Sequence, residues 1–528
     1  MQSLTPQIVE SILKKRFLSD SVSSLKELPL PHTLENLQLI ARRIKVAVES
    51  GKKIVVVGDY DVDGVVSCAI LHYFFKILNY PLEIVIPNRF SDGYGLSPKI
   101  IEKLEYDLII TVDNGISAIE AAKLCKEKGI ELLITDHHTP QENLPDAIIC
   151  NPKLSKDFIE KEICGACVAW YLCAALKAEF NLSVNLVEFL DLLGLAIVSD
   201  VMPLRSLNYV LLKKGLEILR ISKRESILLL KEHFKKHCVD EQLISYYIAP
   251  LLNSAGRMDS AMCALKFLVA ESKAESKAYF EQLLELNATR KAMQNELFIK
   301  ARDMFLKESE AESLPFVLVW GEGWHEGIIG IIASRLSDEF SRPCIALSKN
   351  GEILKGSMRS SSVDCMEVLS TLKEYLLGFG GHFGAAGLSL EVRNLEKFKK
   401  NLMEFCIDNK GQNAESQILD STKSGVLGEL PLKFVNLDFY KMLQNYAPYG
   451  SGNEIPKFYA TAFVESVRIF SDLHSSLCLR DGGVRQNAIV FFNDLGQCRG
   501  KRIEIFYTFQ WDNYANNILL NIESYKIL

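Results

Sequence analysis

Three short stretches place chemically capable side chains directly behind apolar, β-branched runs. Asp59-Tyr60-Asp61-Val62-Asp63-Gly64 follows KIVVVG, Asp113-Asn114-Gly115 follows DLIITV, and Asp136-His137-His138 follows ELLIT. Any one of these acids could be a turn residue or a helix cap. As a set they ask for another reason, because buried carboxylates and imidazoles cost stability unless each finds a partner. Asp61, Asp63, Asp113 and Asp200, pooled with the imidazole of His137, suit Mn²⁺ or Mg²⁺ better than zinc, which favours Cys- and His-rich sets. So many acids converging without cations would repel one another and force some to protonate. Two divalent cations remove that conflict, and a pair ~3.5–4 Å apart is an arrangement used in phosphoester hydrolysis. A calcium loop is excluded, because the twelfth position counted from Asp59 should be Glu and is Ile70.

The elements that must position these residues are legible around them. Residues 1–50 read as a helical segment that stops at Gly51. From there short apolar strands alternate with helical stretches: IVVV, VVSCAILHYFFKILNY, PLEIVIPNRF, SPKIIEKLEY, LIITV, AIEAAKLCKEKG, ELLIT. Fully apolar strands separated by helices predict βαβ units in a parallel sheet. All the polar stretches then fall at carboxyl ends of strands, the edge where open α/β sheets bind ligands. Residues 163–230 read helical and include LVEFLDLLGLAIVSDVMPL, which carries Asp200. Residues 272–307 hold no Pro or Gly and predict one long helix, suited to bridging two domains. A second α/β unit is expected from LPFVLVWG to about residue 405, then a polar linker at 409–417. The rest is rich in short strands with turn signals, which predicts a small barrel or sandwich.

The totals fit an ordinary soluble protein of several domains: 528 residues, 48% hydrophobic and 24% charged. The net charge of −6 speaks against a basic nucleic-acid coat protein but leaves room for a local basic stripe. No signal peptide and no transmembrane helix are expected. Thirteen scattered cysteines suggest a reducing, cytoplasmic setting. Cys164 and Cys167 form a CxxC, but no second pair exists to complete a zinc site. They read as two thiols opening an apolar helix rather than as a redox pair.

VGDYDVDG, TVDNG, TDHH and AIVSDVMPL, in this order, resemble the successive motifs of the DHH phosphoesterase family. GWHEGIIGIIASRL, KGSMRS and GFGGHFGAAG resemble the family's associated DHHA1 domain. LLNSAGRM, LNATRKAMQ and APYGSGNEIPKF resemble its branch of single-strand-specific exonucleases. The likeness spans residues ~20–528. It implies that Asp61, Asp63, Asp113, His137 and Asp200 are metal ligands and that Asp113 bridges two cations, Mn²⁺ or Mg²⁺. His138 matches a position near the phosphate, and Asp59 takes a supporting role beside the ligands. Asp136 is the expected acid that orients an imidazole. Members often carry His four residues before Asp61; here that position is Val57.

A bound phosphate also needs donors. Arg257, Ser357, Arg359 and His382 are the candidates, since the planar fork of Arg matches phosphate and glycines let backbone approach closely. The resemblance places Trp324 and His325 as substrate contacts. It implies a metal-dependent 5′→3′ exonuclease that degrades single-stranded DNA to 5′-mononucleotides in recombination and repair. The implied partners are single-stranded DNA, a single-strand-binding protein and repair helicases, with no membrane and a monomeric state.

The expected fold is α/β: a parallel-sheet DHH domain (51–230), a helical connector with the long helix (231–312), a smaller DHHA1-like α/β domain (313–408) and a C-terminal OB-fold barrel (418–528), behind the N-terminal helical segment (1–50). Residues 421–528 hold 17 of the chain's aromatics, most of them expected to fill the barrel core. Arg499, Lys501 and Arg502 are the expected basic contact there. A relative acting on dinucleotides or cyclic dinucleotides is disfavoured by the long helix and the terminal β region. A non-catalytic scaffold is disfavoured because every acid and His137 are retained.

Overall fold

The computed structural model describes residues 3–93, 95–235, 239–308, 313–408, 425–470, 474–491, 494–512 and 516–528. The expected linker at 409–417 lies outside the described residues. The chain divides into two compact units. The larger contains Pro31–Ser199 and Leu219–Gln417. The smaller contains Met1–Leu30, Asp200–Ile218 and Ile418–Leu528.

The larger unit is built on two sheets. In the first, β1 (Ile54–Val57), β2 (Glu83–Val85), β3 (Leu108–Val112), β4 (Glu131–Thr135) and β5 (Ile148–Cys150) run parallel in the order β2-β1-β3-β4-β5. Residues of β1 and β3 are buried on both faces, which is why they read as unbroken apolar runs rather than as alternation. The strand order reverses between β1 and β3, so connections leave to opposite faces and a crevice opens at their carboxyl ends. Helix α1 (Val62–Ile77) starts immediately behind β1 and packs against α2 (Gly165–Glu179) and α3 (Leu190–Ser199).

Helix α4 (Ala249–Met258) lies against α5 (Lys273–Leu306), the 34-residue helix that the uninterrupted sequence predicts. Ser272 caps α5 by accepting the Glu275 N–H at 3.2 Å. Further along, α5 packs on α6 (Glu326–Phe340) and on the second sheet, so one rigid element serves both halves of this unit. That sheet comprises β6 (Val317–Glu322), β7 (Cys344–Asn350), β8 (Ile353–Arg359), β9 (Leu376–His382) and β10 (Ala385–Glu391), in the order β6-β7-β8-β10-β9. Only β6 and β7 pair in parallel; the rest is antiparallel.

The smaller unit is a barrel. Strand β11 (Val426–Glu429) flanks β12 (Lys457–Phe470), which is followed by β13 (His474–Asp481), β14 (Val484–Val490), β15 (Arg502–Asp512) and β16 (Asn517–Ile527). The order β12-β13-β14-β16-β15 closes through pairing of β12 with β15. As expected, aromatics fill its interior: Phe439, Phe458 and Tyr507 are buried, and Tyr440, Phe509 and Trp511 pack around them.

Two boundaries differ from the expectation. Residues 1–50 are not one segment. The helix Leu37–Glu49 belongs to the larger unit, whereas the helix Pro6–Arg16 belongs with the barrel. The cause is burial: Leu4, Val9 and Leu13 sit inside the barrel's hydrophobic core, and the Leu4 N–H bonds the Glu429 carbonyl at 2.7 Å. Residues 200–218, expected in the catalytic domain, also join this unit. Arg205 pairs with Asp20 at 2.6 Å, and the Leu204 N–H bonds the Ser451 carbonyl at 2.6 Å.

Candidate metal centre

The three polar stretches meet at the carboxyl edge of the parallel sheet, because β1, β3 and β4 are neighbours. Asp61 caps α1: its Oδ1 accepts the N–H groups of Asp63 at 2.9 Å and Gly64 at 3.2 Å. Asp63 points the other way, onto the start of α2. Its oxygens accept the N–H groups of Gly165 at 2.6 Å and Ala166 at 2.8 Å. Asp113 sits just past β3 with φ of +61°, a left-handed conformation costly for a residue with a Cβ. Its Oδ1 is 3.1 Å from His137 Nε2, and Asp63 Oδ2 is 3.7 Å from the same nitrogen. Ligand atoms of Asp59, Asp61 and Asp113 form one compact group, and those of Asp113, His137 and His138 another. Asp113 belongs to both.

The electrostatics match a cation site. Burial and the negative charge of Asp61 push the Asp59 carboxyl well above the usual range. Asp59 is 2% exposed and its Oδ1 has no hydrogen-bond partner. A buried carboxylate oxygen left in this state among other acids is what a cation would satisfy. Burial lowers the affinity of His137 for a proton, which keeps its imidazole neutral and fit to ligate.

Asp136 is an anchor. Oδ1 accepts the N–H groups of His137 at 2.7 Å and His138 at 3.0 Å and meets His138 Nδ1 at 2.8 Å; Oδ2 accepts the Ile116 N–H at 2.8 Å. Burial raises its pKa, but the hydrogen bond and charge of His138 outweigh this and leave it below the ordinary value. Asp200 is the turn residue after α3, where the chain leaves the larger unit.

Asp59 and Asp61 face a cavity of about 750 Å³ whose other wall is the second sheet. Arg257, Ser357, Arg359 and His382 all line it, as do Asp59, Asp61 and His138. Arg257 donates to the Gly327 carbonyl at 3.3 Å. Burial and the neighbouring charges of Arg89, Arg290 and Arg359 lower its pKa to about 10, so this pocket holds crowded positive charge. The Arg359 guanidinium bonds Ser357 Oγ and the Met358 carbonyl.

Trp324 is corrected. It is not a substrate contact; it is buried in the core with Leu297, Phe305 and Ile328, and its carbonyl accepts the Ser348 hydroxyl at 2.6 Å. His325 caps α6, its Nδ1 accepting the Gly327 N–H at 3.2 Å, with its ring edge-on to Phe90 at 5.2 Å.

Several participants escaped the sequence reading. Arg89 lines the cavity and stacks its guanidinium over the Tyr60 ring at 4.1 Å. Its signal was present, since NRF also follows a strand of the same sheet. Asn114 binds the carbonyls of Val57 at 3.0 Å and Val112 at 2.9 Å and accepts the Leu96 N–H at 3.1 Å, tying two strand ends together. Asn253 of α4 accepts the Val62 N–H at 3.2 Å. Gly165 leaves room for Asp113, because a Cβ there would lie 2.5 Å from Asp113 Oδ1. Gly256 and Gly327 leave room for the carbonyls of Tyr60 and Arg257.

Comparison with known proteins agrees with this architecture. Residues 53–197 match the DHH family N-terminal domain, 314–408 the DHHA1 domain, and 428–524 the RecJ OB domain. The single-stranded-DNA-specific exonuclease RecJ of Salmonella typhimurium is 32% identical over 94% of this chain and 95% of its own length. The chain belongs to the RecJ family. The Escherichia coli RecJ is 31% identical over the same shares of both chains. The crystal structure of Thermus thermophilus RecJ in complex with Mn²⁺ superposes with a TM-score of 0.78 at 27% identity, covering 93% of this chain and 72% of that one. A Mg²⁺ complex of the same RecJ gives 0.76.

Proposed function

We infer that this chain is a metal-dependent 5′→3′ exonuclease that degrades single-stranded DNA to 5′-mononucleotides. The observation that carries the reading is the convergence of Asp59, Asp61, Asp113, His137 and His138 opposite an arginine-rich wall. Membership of the RecJ family, whose matched members are named single-stranded-DNA-specific exonucleases, supports the substrate. Asp61, Asp63, Asp113 and His137 would hold two divalent cations, Mn²⁺ or Mg²⁺, and Asp113 would serve both. Asp200 is proposed as a further ligand, supported by its place directly after α3, which packs on the helix that bears Asp63. Oxygen-rich donors with an imidazole fit these ions. The ions would supply positive charge and a more acidic water for attack on a phosphodiester.

The remaining work falls to the chain's own groups. Arg359 and Arg257, with Arg89, balance the charge of the phosphate and fix its orientation. Ser357 orients Arg359, and His382 faces the same space. Asp136 holds Nδ1 of His138, so Nε2 is the nitrogen that can hold or pass a proton in the cleft. The Asp113 conformation is preorganised at a backbone cost, as is common where geometry matters more than stability. The barrel, matching the RecJ OB domain, would bind single-stranded DNA.

We further propose that the enzyme is a cytoplasmic monomer that works with a single-strand-binding protein and repair helicases. The family likeness supports this, and among the described residues no helix is long and apolar enough to cross a membrane.

The test is digestion of single and double strands labelled at the 5′ or 3′ end, with Mn²⁺, Mg²⁺ or chelator. Loss of the 5′ label first, on single strands and only with metal, is expected. Digestion that survives the chelator, or that starts at the 3′ end, overturns the reading.

A further inference from the structure

The carboxyl edge of the parallel sheet is a row of charge that changes sign twice. In the spatial order β2-β1-β3-β4-β5, the strand ends carry Arg89, then Asp59 and Asp61, then Asp113, then His137 and His138, and last Asn151 and Lys153. The strand that bears Asp113 is the middle one. At ~4.8 Å per strand, each flank lies about 10 Å from it. The acids and imidazoles in the middle form the cation-binding groups, and Arg89 lines the cavity at one flank. Lys153, at the opposite flank, belongs to neither.

The sequence builds this flank as it builds its neighbours. IICNPK is a short apolar run that stops on polar residues, like IITVDNG and LLITDHH. Asn151 is 1% exposed and ties the end of β5 to the end of β4. Its Nδ2 donates to the His138 carbonyl at 2.9 Å, and its Oδ1 accepts the Lys153 N–H at 2.8 Å. That turn brings Lys153 back toward the histidines, where its Nζ donates to the hydroxyl of Thr139, the residue after His138, at 3.2 Å. Among the described residues its one carboxylate contact is Glu162 at 3.5 Å, a side chain 60% exposed. A pair so open to solvent is weak and gives way to a better anion. The ammonium also acts across the cleft. Burial first, then the charges of Arg359 and His138, and to a lesser degree that of Lys153, lower the proton affinity of His382 on the second sheet.

We propose that Lys153 is a further substrate contact, holding the first phosphate on the retained side of the bond that is cut. A strand laid along this edge, with its scissile phosphate at the middle of the row, has one neighbouring phosphate toward Arg89 and the other toward β5. A compact ammonium with donors to spare suits that second phosphate as a point charge. This contact rests on the exonuclease reading and extends it from the bond that breaks to the strand that stays.

The test is competition on the full chain with Mn²⁺. A 5′-phosphorylated thymidine dinucleotide and the matching trinucleotide each compete against digestion of a long labelled single strand. Only the trinucleotide carries a phosphate beyond its first internucleotide link. Lys153→Gln should raise the trinucleotide's inhibition constant about tenfold, the scale of one charge-assisted hydrogen bond, and leave the dinucleotide's within about twofold. The dependence of that trinucleotide constant on salt, on logarithmic axes, should become shallower by about 0.7, the share of one phosphate on a single strand. Lys153→Arg retains the charge and should stay near wild type in both. An unchanged trinucleotide constant overturns the assignment. So does an equal rise for both competitors, which a disturbed metal centre would give. Wild-type protein that digests no single strand with metal would overturn the exonuclease reading itself, and the Lys153 contact with it.

Discussion

Replacing Gly165 by Ala adds one methyl group where α2 begins, and the structure lets its consequence be worked out. An ideal Cβ would lie 2.5 Å from Asp113 Oδ1 and 2.6 Å from Asp113 Cβ. Non-bonded heavy atoms settle at about 3.5–4.0 Å, so something must retreat by about 1 Å. The start of α2 is held by Asp63, through bonds of 2.6 Å and 2.8 Å. Asp113 has little backbone freedom left at φ of +61°. The side chain that yields is therefore the one that joins both ligand groups. A misplacement of ~1 Å at such a site costs on the order of 100-fold in rate, or about 2.7 kcal/mol of transition-state stabilisation. Overpacking alone costs about 1–3 kcal/mol of stability, which leaves a domain of this size folded. The expected outcome for Gly165→Ala is a ~100-fold fall in kcat/KM on 5′-labelled single strands. Weaker Mn²⁺ binding by paramagnetic resonance and a cooperative thermal transition should accompany it. A variant within about threefold of wild type in kcat/KM would show that Asp113 does not depend on this cradle.

Two further outcomes follow from the same geometry. Arg359→Lys keeps the charge but loses the fork, so kcat/KM should fall about 10- to 100-fold, the range of one charge-assisted hydrogen bond; an unchanged value in steady-state assays would remove Arg359 from phosphate binding. Deleting residues 1–30 strips Leu4, Val9 and Leu13 from the barrel core, at roughly 1.5–3 kcal/mol for each large side chain; calorimetry should show the barrel's transition lost or strongly lowered, and an unshifted transition would contradict the assignment of this segment to the barrel.

Much of the site was readable before the fold was known. Apolar β-branched runs ending in Asp59, Asp113 and Asp136 predict strands whose carboxyl ends share one edge, and the sheet order puts those ends side by side. The donor types predicted hard cations. The long helix was readable because 34 residues without Pro or Gly leave no local stop. Trp324 shows where such reading fails. Its motif looks functional, but the ring fills a cavity between α5, α6 and β6 that sequence spacing does not reveal.

What the sequence by itself determined is therefore local and periodic: which segments become strands and helices, which acids stand at strand ends, and which ions such donors prefer. Only the tertiary structure decided which distant groups meet. It put Arg89 over Tyr60, set Gly165 beneath Asp113, and turned Asp136 into the anchor of His138. It also carried the first helix into the barrel formed by the last hundred residues. The physical reason is that backbone preference and amphipathic period act over a few residues. Steric room for one Cβ, the pairing of a buried carboxylate, and the filling of a core depend on atoms hundreds of positions apart in the chain.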